Sequence, residues 1–132
     1  MDTERGGPGS EGSGTDDADP VFACFDRWGR QVVLTKDCWD HHIVAQRPHL
    51  VGHEAIVRGV VESPHYVKYD ATRANAECFY ATGVVPGHPT HVLKVVVKFV
   101  REDGVVLPRG FVLSAVSHRS TRSKSGERHK WP

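Results

Sequence analysis

The stretch His91-Val92-Leu93-Lys94-Val95-Val96-Val97-Lys98-Phe99-Val100 reads as a β-strand: ten residues, β-branched through the centre, free of glycine and proline. Alternation puts Lys94 and Lys98 on one face with Val96 between them. Arg101-Glu102-Asp103-Gly104 has the composition of a hairpin turn. Val105–Leu107 and Phe111–Ser117 supply a last strand or two, with Pro108-Arg109-Gly110 as a kink or bulge. Upstream, Gly83–Thr90 is a loop carrying Pro86, Gly87 and Pro89, and both Ala76–Thr82 and His65–Asp70 alternate as strands do.

Before residue 65 the period changes. Thr35 reads as an N-cap with Asp37 in the first turn, opening a helix that runs to about Gln46, because Pro48 disfavours a helical Arg47. Trp39 and Ile43 are four apart and share its buried stripe, which places His42 nearer the core than His41. A second helix is expected from about Gly52 to Glu62, with Ile56, Val57, Val60 and Val61 facing inward and Ser63-Pro64 ending it. Val21–Asp26 and Gln31–Leu34 flank the turn Arg27–Arg30 and are consistent with a hairpin. Two helices followed by about four consecutive strands indicate an α+β domain, its N-terminal helices packed on one face of a four-stranded antiparallel sheet.

The chain of 132 residues carries a net charge of +1 that conceals an asymmetry. Residues 1–20 are rich in Gly, Ser, Asp and Glu, sum to −5, and cannot bury enough apolar surface to offset their ordering entropy, so a disordered acidic arm is expected there. The ordered domain is expected over 21–117, and residues 118–132 form a basic tail closing on Trp131. A basic body suits a polyanionic partner, although a solvated charged terminus accounts for the same residues. Cys24, Cys38 and Cys78 make an odd count without paired spacing, which argues against a disulfide framework and for a reducing, cytoplasmic compartment. No secretory signal is read at the acidic N-terminus, and no apolar run approaches transmembrane length. Cys38-x-x-x-His42 and His88-x-x-His91 are two-ligand fragments with nothing to complete them, so no metal and no other cofactor is expected.

In order and spacing, Val33-Leu34-Thr35, Trp39-Asp40-His41-His42-Ile43, Arg47-Pro48-His49-Leu50, Pro64-His65-Tyr66-Val67, Cys78-Phe79-Tyr80, Leu93-Lys94-Val95-Val96-Val97, Leu113-Ser114-Ala115 and Lys130-Trp131 resemble the phage-associated branch of the barnase–EndoU–colicin–RelE-like nucleases. The resemblance spans about Val21 to Trp131. It departs from the family pattern at Arg47, where a histidine is usual before the proline, at His49, where an acid is usual, at Ser114, which replaces threonine, and in the insertion Val105–Gly110.

The resemblance implies a metal-independent endoribonuclease, toxin-like or borne by a phage or mobile element, that cleaves RNA by attack of the 2′-OH. His42 would be its acid/base, since an imidazole titrates near working pH. Arg47 would grip the scissile phosphate with its two-pronged guanidinium, and Ser114 would be an auxiliary donor. Lys94, Lys98, Arg119, Arg122, Lys124, Lys130 and Trp131 would bind RNA, the cations by counterion release and the indole by stacking. A free toxic nuclease would need an antitoxin or immunity protein. The structural alternatives are a boundary histidine, an exposed arginine after a helix and a small residue on a sheet. On those, the chain is a non-catalytic RNA-binding or protein-interaction module.

Overall fold

The computed structural model describes residues 19–119 and 128–132. The expected acidic arm, but for Asp19 and Pro20, lies outside the described residues. The strands are β1 (Phe22–Phe25), β2 (Gln31–Leu34), β3 (Tyr66–Tyr69), β4 (Ala76–Thr82), β5 (Val92–Glu102), β6 (Val105–His118) and β7 (Arg128–Trp131). They form one seven-stranded sheet in the order β1-β2-β6-β5-β4-β3-β7. Between β2 and β3 lie α1 (Lys36–Cys38), a π-helical turn (Trp39–Ile43), a 3-10 turn (Pro48–Leu50) and α2 (Glu54–Glu62).

The expected α+β architecture, N-terminal helices on a four-stranded antiparallel sheet, is thereby corrected. The sheet has seven strands and is mixed, because β2 runs parallel to β6 through Gln31↔Arg109, Val32↔Gly110 and Val33↔Phe111. A parallel neighbour requires a long crossover, and partners so far apart along the chain leave no mark on local periodicity. The segment expected as a basic tail contributes β7, which pairs antiparallel with β3. The helices are also shorter than expected. Thr35 caps α1 by accepting from the Cys38 amide at 3.1 Å, but after one turn the winding widens, with the Val44 amide bonding to the Trp39 carbonyl at 2.8 Å.

β5 is the axis of the sheet. Leu93, Val95, Val97 and Phe99 face the helices, in one core with Leu34, Trp39, Ile43, Leu50, Val57, Val60, Val61 and Phe79. Val92, Lys94, Val96 and Lys98 therefore turn to the far face, where Val92 and Val96 join a smaller cluster with Ala76, Cys78 and Tyr80. A register shift at Val96/Val97 makes Leu113 an extra residue on β6, a second bulge that the sequence does not advertise. The Cys38 thiol donates to the Val112 carbonyl at 3.0 Å beside it, and burial pushes that thiol up to about 11, so it stays protonated and able to donate.

Away from the helices the same face is closed by charge. Arg30 spans from Asp26 (2.7 Å) to both oxygens of Glu77 (2.8 and 3.0 Å), and Lys130 adds a bond of 2.8 Å to Glu77. Arg30 also lies 3.9 Å over the Phe99 ring, and Arg27 lies 3.8 Å over Trp131. The β1–β2 turn, β4 and β7 are thus tied together across the sheet. Gly110 permits the close packing beneath: a Cβ there would stand 2.8 Å from the Lys98 carbonyl and 2.9 Å from Phe99 Cδ1.

Gly110→Ala should destabilise the fold by about 2 kcal/mol in urea unfolding, because the nearest obstacle is backbone that cannot swing away. For Glu77, burial alone would raise the carboxyl, but the hydrogen bonds and charges of Arg30 and Lys130 outweigh it and hold it below its ordinary value. A lowered folded-state value stabilises the protein above the ordinary carboxylate range, and the contribution is lost as pH falls through the folded value. Glu77→Gln should flatten the acid limb of stability against pH, and Glu77→Ala, which strands two cations, should cost about 3 kcal/mol at neutral pH.

Candidate active site

Chemistry-bearing side chains collect where β4 ends, β5 begins and β6 ends. The loop Gly83–His91 closes on itself there, with the Gly83 amide bonded to the His91 carbonyl at 3.0 Å and the His88 amide to Val85 at 3.0 Å. This brings His88 and His91 ring to ring, centroids 4.5 Å apart. The 3-10 turn after the first helical segment delivers His49, whose ring lies 5.9 Å edge-on to His88 and whose Nε2 is 3.3 Å from Ser117 Oγ. Ser117 pairs with Leu93 on the helix side of the sheet, so it meets His49 rather than the far face. Arg119, exposed two residues on, is close enough to act on His91 electrostatically.

His91 is held below the ordinary histidine range, first by burial and then by the charges of His88, Arg119 and His49. Its Nδ1 is sealed from solvent and meets no hydrogen-bond partner among the described residues. An orphaned ring nitrogen is costlier as part of an imidazolium, which needs both nitrogens bonded as donors. The neutral imidazole is therefore favoured, and that is the form that accepts a proton. Among the described residues, no group of three His, Cys, Asp or Glu side chains is arranged to hold a metal ion.

The residues expected to form the site are not brought together. His42 is exposed on the π-helical turn, above the helix side of the sheet. Ser114 pairs with Val96 on the far face, so the sheet stands between them. Arg47 turns its Nη1 back onto the Gln46 carbonyl at 2.9 Å, capping the end of the helical segment. Lys94 and Lys98 share the far face, Lys94 buried and Lys98 exposed. Lys130 and Trp131 are engaged in the charged network, Lys130 by Glu77 and Trp131 beneath Arg27. Arg119 is exposed just past β6, where its charge acts on His91, while Arg122 and Lys124 lie outside the described residues.

His49 and the pair His88/His91 carried a signal in the sequence, one as a departure from the family pattern and the other as an incomplete ligand fragment. Nothing in spacing relates residue 49 to residues 88, 91 and 117, and only the folded sheet does so.

No family model, characterised protein or solved structure matches the chain. None of these comparisons bears on the nuclease family that the motifs resemble. No helix among the described residues is long and apolar enough to cross a membrane.

The geometry makes one electrostatic expectation plain. Removing the neighbouring ring in His88→Ala should raise the His91 pKa toward its ordinary value, as read by NMR titration of the imidazole Cε1 protons. No change would mean that the two rings are electrostatically uncoupled.

Proposed function

We propose that this domain is a metal-independent endoribonuclease whose acid–base groups are the sheet-end histidines. The observation that carries the reading is the convergence of His49, His88 and His91 with the Ser117 hydroxyl and the Arg119 cation. His91, neutral near pH 7, accepts the proton of a ribose 2′-OH. The 2′-oxygen attacks the adjacent phosphorus as the bond to the 5′-oxygen breaks. His49, positioned by Ser117, protonates that leaving oxygen, and Arg119 balances the phosphorane charge. The products are a 2′,3′-cyclic phosphate and a free 5′-OH. His42 has no part in this scheme, and a reducing cytoplasm suits a chain whose three cysteines are free.

The test is purified protein with total RNA in EDTA, beside His91→Ala and His42→Ala. The wild type should yield 2′,3′-cyclic ends, His91→Ala should be slower by about 10²- to 10⁴-fold, and His42→Ala should cleave normally. The limb of the rate profile set by His91 should lie below pH 6.5, because its pKa is lowered from that value. Loss of cleavage in His42→Ala alone would return the site to the helical turn. A folded protein that binds RNA without cutting it would leave a binding module.

A further inference from the structure

We propose a nucleotide-binding cavity on the face of the sheet turned away from the helices, built around Lys98, Arg101 and Phe111. It stands apart from the nuclease reading, because the histidines gather at the other end of β5, on the helix side. The cavity arises where β5 and β6 lose step. Between the pairs Phe99↔Gly110 and Arg101↔Val106, Val100 alone faces Leu107, Pro108 and Arg109. Three residues opposite one cannot all join the ladder, and Pro108 has no amide hydrogen to give it. At the second shift Leu113 is the extra residue. The insertion Val105–Gly110, a departure from the nuclease pattern, supplies the larger bulge. Here the sheet holds a cavity of about 510 Å³, with Asn75, Lys98, Val100, Arg101, Phe111 and Leu113 among its walls. Small-molecule sites occupy roughly 300–1,000 Å³.

Register sets Ala76, Lys98, Phe111 and Val33 in one cross-strand row, so Lys98 and Phe111 are direct neighbours on the far face. Phe111 is 42 % exposed although it lies in mid-strand. Lys98 and Arg101 are exposed too, and among the described residues neither side chain makes a hydrogen bond, an ion pair or a ring contact. The Asn75 side chain is equally uncommitted among the described residues, while its backbone carbonyl accepts the Phe99 amide at 2.8 Å and holds the residue against β5. Among the described residues no carboxylate lines the cavity, and Glu102 and Asp103, next along the chain, are not among its walls. Two cations with no carboxylate between the walls favour a phosphate, which brings up to two charges in one group. An exposed ring offers its face to a flat base. A side-chain amide offers donors and an acceptor to a base edge. Phosphate, flat ring and polar edge occur together in a nucleotide, free or within a single RNA strand.

The test uses the full chain beside Lys98→Met and Arg101→Met, which keep most of the stem and remove the charge, and Phe111→Leu, which stays apolar and removes the flat face. Two probes separate the sources: adenosine 5′-monophosphate, read by calorimetric titration, and a labelled single-stranded 2′-O-methyl RNA, which attack by a 2′-OH cannot cut, read by affinity against salt. The mononucleotide should bind the wild type, and each substitution should weaken it by about tenfold. That result assigns the cavity to free nucleotides. If a strand occupies it, RNA should bind where the mononucleotide does not, Phe111→Leu should weaken RNA by about tenfold, and Lys98→Met should reduce the slope of log affinity against log salt by about one. Equal responses of wild type and all three variants to both probes would overturn the proposal. So would inorganic phosphate binding as tightly as the mononucleotide, since the ring and the amide would then contribute nothing. Binding that vanishes in His91→Ala and persists in the three variants belongs to the histidine cluster and also overturns it. Loss of RNA cleavage in His91→Ala with unchanged nucleotide binding leaves the cavity standing, so the two readings fail separately.

Discussion

Much of this fold depends on one buried carboxylate. Glu77 sits at 7 % exposure near the start of β4 and is gripped by Arg30 from the β1–β2 turn and by Lys130 from β7. Those strands lie toward opposite edges of the sheet. The helices are short and leave part of the face they cover to be closed otherwise, and an ion-paired network over Phe99 does so. Burying such charges is costly unless each is paired and hydrogen-bonded, and here each is. The network also orders the turn that starts it, since Asp26 accepts the amides of Trp28 and Arg30 at 2.9 Å each.

The charged network and the histidines occupy different parts of the same sheet. The network joins the β1–β2 turn, β4 and β7, whereas the histidines come from the β4–β5 loop and the 3-10 turn. Loops carried on a rigid sheet can present polar groups without sacrificing backbone pairing, and binding and catalytic residues are concentrated there for that reason. His49 and Ser117 illustrate the economy of this arrangement: a turn fixed by Pro48 places the ring, and the last residues of a long strand place the hydroxyl.

The local elements were legible. β5 is visible in its β-branched run, the hairpin after it in Asp103-Gly104, and the cap of α1 in Thr35. The inward stripe of α2 was legible in Val57, Val60 and Val61. The placement of Lys94 and Lys98 on one face followed from alternation alone. The candidate site was read less well. His42 sat beside an apolar stripe and a familiar motif, but the widened turn leaves it exposed, and Ser114 lies behind the sheet. His88 and His91 were visible only as a pair, without the third ring that His49 supplies.

The amino-acid sequence by itself determined the strands from β1 to β6, the cap that opens α1, the end of α2 at Glu62, and which side of β5 is cationic, because those depend on neighbours one to four residues away. Tertiary structure alone decided that β2 would lie parallel to β6, that Arg128–Trp131 would become an edge strand, and that residues 49, 88, 91 and 117 would meet. Each of those depends on pairing between segments separated by tens of residues, and such pairing is chosen by the free energy of the whole sheet, in which local pattern has no share.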